Sequence, residues 1–269
     1  MKTLRQRVKQ GLPAISLALV TLFVCAETAQ GQSTPTIFEA NLGETNPITP
    51  EISTKQLQAI LASGTEPVLD VRSRLEYAIA HIPGAINIPE LEVAEIMSRY
   101  PNPGTQMTLT CNGPFCGKSK RTSEELVLAG YYNVKRYQLG MPVWRALGNT
   151  VQTDLAGFLY MYRGDRTTVF VDARTPEEFH ARTVRCAVNI RAGEATAAND
   201  DGRLPNWDKG SRVVVFANTP AEARQVALEI ARKAYWNSSY FGGELLELKQ
   251  NHLLKRYRED SERRCPGPQ

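Results

Sequence analysis

The sequence predicts an α/β protein of two similar domains, each a mostly parallel sheet flanked by helices. Three observations carry that prediction. Short apolar runs such as "PVLDV", "QMTLTC" and "RVVVFA" alternate with helix-length segments, the pattern of strands buried on both faces. The two halves repeat one another: at a constant offset of 102, Asp70 falls on Asp172, Arg72 on Arg174, Glu76 on Glu178 and Tyr77 on Phe179. Finally, Cys111, Cys116, Cys186 and Cys265 are too few for a disulfide-built scaffold, so apolar packing must supply the core.

In chain order, residues 51–149 form the first domain. They open with a short helix in "STKQLQAILAS", capped by Ser53 or Thr54. "PVLDV" is a strand, "PELEVAEIMSRY" a helix, "QMTLTC" a strand, "SEELVLAG" a helix and "NVKRYQ" the next strand. Residues 150–269 form the second domain and repeat that order through "TDLAGFLYMY", "TVFVDA", "RVVVFA", "PAEARQVALEIARKA" and "SSYFG". The polar stretch 192–210 reads as a surface loop. "ELLELKQNHLLKRYREDSERR" has helical spacing and predicts a C-terminal helix with a charged far end, while residues 27–50 read as a linker or loose arm.

Residues 1–26 stand apart. Lys2, Arg5, Arg7 and Lys9 precede an apolar run without any acid, and cleavage after Ala26 or Gly31 suits the small residues there. This is a secretory signal pattern, and it predicts a periplasmic or secreted protein. The apolar run is short for a spanning helix, so membrane attachment follows only if the signal stays uncleaved. Bulky Val24 argues against lipidation at Cys25. The formal charge of +4 resides in this segment: its removal leaves 28 basic against 28 acidic residues, which takes away the charge argument for nucleic acid.

The chemistry concentrates in "TCNGPFCGKSKR". Cys111 ends a strand and opens a glycine-containing loop that leads into a helix. Backbone N–H groups of such a loop can converge on a thiolate, a persulfide or a bound oxyanion, and the positive helix end adds to the effect. Gly113 and Gly117 permit backbone angles that a side chain disfavours. Asn112, Ser119 and Lys118, and less clearly Lys120 or Arg121, would face an anionic ligand, while Phe115 either lines its entrance or anchors the loop. Cys116 admits three readings: it resolves a persulfide, closes a disulfide with Cys111, or is an ordinary small loop residue. No cofactor is implied. Two cysteines without a nearby histidine are half a zinc site at best, and His81, His180 and His252 are scattered.

"VLDVRSRLEYAIAHIPGAINIP", followed after about 24 residues by a strand ending in Cys111, resembles the rhodanese family of sulfurtransferases, in a tandem-domain, exported bacterial form. The resemblance implies that Cys111 is the nucleophile. It would accept sulfane sulfur from a small anionic donor such as thiosulfate and pass it to cyanide, a thiol or a protein acceptor. Asp70 and Arg72 would support the loop from neighbouring strand ends rather than act as acid or base, with Glu76 in the same network. The loop is about two residues longer than the common sulfurtransferase loop, which favours a bulkier or different anion. The second domain has Ala217 where the first has Cys111 and is therefore degenerate. Cys186, aligned with Gly84, reads as a packed cysteine. Two rival functions remain: a non-catalytic sulfur-carrier or binding module, and a thiol–disulfide redox protein using Cys111 and Cys116.

Overall fold

The computed structural model describes residues 36–257. The predicted signal segment, Cys25, Cys265 and the charged far end of the chain lie outside the described residues.

The first domain runs α1 (Thr54–Ser63), β1 (Val68–Asp70), α2 (Arg74–Ile79), β2 (Ile86–Asn87), a 3₁₀ turn (Glu90–Glu92), α3 (Val93–Arg99), β3 (Met107–Thr110), α4 (Lys118–Leu128), β4 (Val134–Tyr137) and α5 (Gly140–Ala146). Its sheet has the order β2-β1-β3-β4 with every pair parallel. Glu51 adds a parallel bridge to Arg136 at the β4 edge. β1 and β3 are buried along their whole length, Asp70, Thr108 and Thr110 included, as strands covered on both faces are. Leu69, Ile96, Leu109 and Leu126 pack on one face; Leu57, Val68, Tyr137 and Trp144 pack on the other.

The second domain comprises β5 (Val151–Thr153), α6 (Leu155–Gly164), β6 (Val169–Asp172), α7 (Pro176–Ala181), β7 (Thr183–Val184), β8 (Val188–Asn189), α8 (Ala195–Asp200), β9 (Val213–Phe216), α9 (Pro220–Ala231), β10 (Ser238–Phe241), α10 (Leu245–Gln250) and β11 (Leu254–Lys255). Its parallel sheet has the order β5-β10-β9-β6-β8. Two α/β domains, each with a mostly parallel sheet flanked by helices, therefore form the protein. Helix starts follow a common rule. Ser53, Ser73, Thr175 and Thr219 each close a capping box with the Gln or Glu three residues on.

The domains are stitched along one seam. His81 and Gln152 exchange backbone hydrogen bonds of 2.9 Å each, and the Asp154 N–H donates to the Ala78 carbonyl at 2.8 Å. The Thr153 hydroxyl donates to the Ile79 carbonyl at 2.8 Å. α6 lies so close to α2 that a Cβ on Gly157 would overlap the Ala78 carbonyl. His81 is buried here, stacked on the Tyr77 ring with centroids 3.7 Å apart. Burial holds its imidazole below the ordinary value, against the opposing pull of Asp154.

Three expectations need correction. Residues 192–210 are not only loop: α8 forms within them because Ala195, Ala198 and Leu204 have apolar surface to bury against the second core. The C-terminal helix stops at Gln250. His252 turns left-handed (φ 56°), and the chain then pairs as β11 antiparallel to β7. The described part of the loose arm is docked: Thr49 is buried and accepts a 2.8 Å hydrogen bond from Arg136, whose guanidinium also holds Glu44 at 2.9 Å.

Candidate active site

The register of the first sheet sets the site. Asp70 lies beside Thr110, and Thr110 beside Tyr137, so the residues that follow emerge together at the carboxyl edge. Cys111 leaves β3 there and is 1% exposed. Residues 112–117 form the loop, and α4 starts at Lys118 with no side-chain cap on its N-terminus. The uncapped helix end leaves donor groups and a partial positive charge on the cysteine side of the loop.

Asp70 and Arg72 build one wall. Arg72 grips both Asp70 carboxylate oxygens, with Nε at 2.9 and 3.0 Å and Nη2 at 2.5 Å. It also donates to the Ala80 carbonyl at 2.7 Å and to Asn112 Oδ1 at 3.2 Å. Both partners are buried, so the pair orients the loop through Asn112. Asn112 passes the link on, donating Nδ2 to Glu76 Oε1 at 2.6 Å.

Lys118 is not a free cation. Its ammonium lies 3.0 Å from Glu76. Burial pushes the Glu76 carboxyl up, yet hydrogen bonds from Ser73, Asn112 and Lys118 prevail and bring it down to about 2. Arg121 is tied to Glu90 at 2.5 Å, and Lys120 lies 3.7 Å from Glu44. The basic residues expected to attract an anion are thus each matched by an acid. Arg145 on α5 forms no ion pair among the described residues, and burial, with repulsion from Arg72 and Arg212, pulls its guanidinium down to about 10.

Two supports were missed by sequence reasoning. Gln138 donates Nε2 to the Cys116 carbonyl at 3.0 Å and to the Pro114 carbonyl at 3.3 Å, while its own oxygen accepts from Ser119 at 2.9 Å and Arg136 at 3.0 Å. Gly140 (φ 62°) lets the loop sit directly on the start of α5. A Cβ there would come within 2.5 Å of the Gly113 backbone. Phe115 at the loop tip is fully exposed, so it does not anchor the loop. The Cys116 N–H is used within the loop, donating to the Gly113 carbonyl at 2.9 Å.

Cys111 and Cys116 are joined by a disulfide, with Cα atoms 6.2 Å apart. Cys111 is buried behind the loop, whereas Cys116 is only part-buried. A thiolate arriving from solvent therefore meets the Cys116 sulfur, and Cys111 is the sulfur that would leave. Among the described residues no cluster of three or more His, Cys, Asp or Glu could hold a metal ion.

The second domain repeats the frame. Arg174 grips Asp172 at 2.9 and 2.6 Å, Asn189 holds the Asp172 and Arg174 carbonyls as Asn87 does in the first, and Asn218 donates to Glu178 at 2.9 Å as Asn112 does to Glu76. Ala217 follows β9 as Cys111 follows β3. Its loop is only Asn218 and Thr219 before α9, whose first turn carries Pro220 and a Thr219 cap. There is no nucleophile and no open helix end. Cys186 shares a left-handed backbone with Gly84 (φ 63° and 89°), as the repeat implies. It is disulfide-bonded and only part-buried, which corrects its reading as a packed thiol.

The rhodanese-like domain family matches residues 53–147 and again residues 158–249. The chain belongs to the rhodanese-like family. Within this rhodanese-like chain, a 107-residue stretch is 33% identical to the thiosulfate:glutathione sulfurtransferase of Homo sapiens, covering 35% of this chain and 92% of that protein. A stretch of 86 residues is 35% identical to an HTH-type transcriptional regulator of Mycobacterium tuberculosis, covering 32% of this chain and 37% of the regulator. Among solved structures, a thiosulfate sulfurtransferase from Pseudomonas aeruginosa is 21% identical, with a TM-score of 0.36, over 72% of this chain and 43% of that one. The two matches to the family model show the tandem rhodanese-like architecture, and the human relative shows family-level kinship with sulfurtransferases.

Proposed function

We propose that this protein is a thiol–disulfide redox protein on a rhodanese scaffold, cycling Cys111 and Cys116 between dithiol and disulfide. The Cys111–Cys116 disulfide within the nucleophile loop carries this reading. In the forward direction an external thiolate attacks the Cys116 sulfur, the S–S bond breaks, and its electron pair leaves on Cys111. A second external thiol then resolves the mixed disulfide on Cys116, so the protein gains two electrons and two protons while the donors end as a disulfide. The uncapped start of α4 supports Cys111 as the leaving thiolate. The partner is a small or protein-borne thiol.

A second reading is favoured by the family and by the position of Cys111 at the strand end. In the reduced form the Cys111 thiolate attacks the sulfane sulfur of an anionic donor such as thiosulfate, sulfite leaves, and a persulfide forms. Transfer to an acceptor thiol regenerates Cys111. Export to the periplasm or beyond is part of this proposal, because an oxidising compartment would hold the pair as a disulfide between turnovers.

Glutathione and thiosulfate separate the two readings when supplied to the parent, Cys111→Ser and Cys116→Ser proteins. The redox reading predicts glutathione-dependent reduction of a dithiol-reactive disulfide substrate that is lost in both variants. Thiosulfate consumption that survives Cys116→Ser, without any such redox activity in the parent, would overturn it in favour of sulfur transfer.

A further inference from the structure

Gln138 follows β4 and is buried under the Cys111 loop. Its Nε2 reaches three loop carbonyls, those of Cys116 at 3.0 Å, Pro114 at 3.3 Å and Gly113 at 3.5 Å. The amide can sit only one way round. Arg136 donates Nη1 to its oxygen at 3.0 Å, and a guanidinium has donors alone, so the NH2 end must face the loop. The Ser119 hydroxyl donates to the same oxygen at 2.9 Å. Arg136 is fixed in turn by the arm, which supplies Glu44 at 2.9 Å and the Thr49 hydroxyl at 2.8 Å.

This grip sets the peptide planes of the loop. Its peptide bonds are trans, so each N–H points opposite to the carbonyl of its own plane. With the Pro114 and Cys116 carbonyls held on Gln138, the Phe115 and Gly117 N–H groups face the other side. Neither donates to an acceptor among the described residues. The charges around the loop are matched: Asp70 with Arg72, Glu76 with Lys118, Glu90 with Arg121, and Glu44 with Arg136 and Lys120. Arg145 on α5 forms no ion pair among the described residues. Where charges cancel in this way, the direction of the loop dipoles governs how well a thiolate is held.

The second domain, which has no nucleophile, also lacks this support. Arg136 pairs with Leu109, two residues before Cys111, and Tyr240 pairs with Val215, two residues before Ala217. The counterpart of Arg136 is therefore Tyr240, and that of Gln138 is Gly242. Neither a cation nor an amide stands there.

We propose that Gln138 is a positioning residue for Cys111. Locked by Arg136 and Ser119, it draws the loop carbonyls away from the sulfur, turns the loop N–H groups towards it and so favours the thiolate. The inference rests on Cys111 working as a thiolate, whether as leaving group or as nucleophile.

Ultraviolet thiolate absorbance, titrated with pH in the reduced whole chain carrying Cys116→Ser, tests this. The chain carrying both Cys111→Ser and Cys116→Ser is the blank. Gln138→Met, similar in size but without an N–H, should raise the Cys111 midpoint by about one pH unit, the effect of about one neutral hydrogen bond. Gln138→Glu can still accept from Arg136 and Ser119 but donates nothing to the loop, and should raise it at least as far. Glu44 and Thr49 still hold Arg136 in both variants, so the fold is kept, and circular dichroism checks this. Arg145 is the same in every chain compared. Ser238→Ala removes a buried hydrogen bond to the Ala227 carbonyl in the second domain, and should lower stability without moving the midpoint. An unchanged midpoint in Gln138→Met, a rise confined to the charged Gln138→Glu, or an equal rise in Ser238→Ala would overturn the proposal. The titration needs no redox partner: the expected rise in a protein that then reduces no disulfide substrate would uphold the role of Gln138 and sink the redox reading alone.

Discussion

Replacing Gly140 by alanine tests how the Cys111 loop is held. The new Cβ would sit 2.5 Å from both the Cα and N of Gly113 and 2.7 Å from the Asn112 carbonyl carbon. These are backbone atoms on two crossing segments, so neither can swing aside, and the chains must part by about 1 Å. Overpacking of that kind costs about 1–3 kcal/mol. A left-handed alanine adds about 1–2 kcal/mol. Gly148 provides the control, because its φ of 78° is also left-handed but nothing lies within 4 Å of its Cβ position. Gly148→Ala therefore meets only the conformational term. For a chain of this size, Gly140→Ala should lower the melting temperature by about 10 °C and Gly148→Ala by about 4 °C. Only Gly140→Ala should speed reduction of the Cys111–Cys116 disulfide by dithiothreitol, since only there is the loop lifted from its seat. Equal melting shifts with equal reduction rates would refute the steric account.

Other outcomes follow from the same contacts. Asp70→Asn leaves the buried Arg72 guanidinium without its charge partner, and urea unfolding should show a loss of about 3–5 kcal/mol. Gly157→Ala drives a methyl into the Ala78 carbonyl and should part the domain seam. Limited proteolysis between the domains should accelerate while the first domain stays protected. His81 is held below its ordinary value by burial, so the unfolded chain binds its proton first. Stability is then full above about pH 6.5 and falls as the pH drops below it. His81→Gln should flatten that slope in urea midpoints measured from neutral pH down to about pH 5. Glu76, brought down to about 2, acts in a lower window: its contribution is present above its ordinary value of 4.5 and is lost as the pH falls towards 2. Ala217→Cys should not create a second reactive thiol, because Pro220 and the Thr219 cap close the helix end that it would face. Alkylation rates of the single new cysteine would show this.

The strands and the repeat were legible because their signals are local and periodic: β9 is wholly apolar, β1 and β6 are apolar up to their closing aspartates, β3 alternates Met107 and Leu109 with threonine, and Asp70 and Asp172 stand at matching strand ends. Cys111, Asn112 and Arg72 were legible for the same reason, each fixed by its offset from a strand. What escaped was set by contacts between distant segments. α8 forms because Ala195 and Ala198 meet the second core, although the stretch is polar and turn-rich. The arm at Glu44 and Thr49 docks because Arg136, buried on β4, needs oxygen partners that its own strand lacks. Lys118 looked like an anion receptor in the sequence, since nothing local shows that Glu76, 42 residues earlier, will reach it. Gln138 has no motif at all, and its role appears only when β4 places it under the loop.

The reduction potential of the Cys111–Cys116 pair tests the central claim most directly. Equilibration of the whole chain in glutathione buffers, acid quenching, alkylation and tryptic mass analysis reports the peptide spanning residues 100–118, which holds both cysteines. The account predicts a peptide lighter by two hydrogens that is titrated back to dithiol with a midpoint between about −270 and −120 mV, the range of working redox pairs. A pair that stays as two thiols even in oxidised glutathione, or a disulfide that no such buffer reduces, would contradict it.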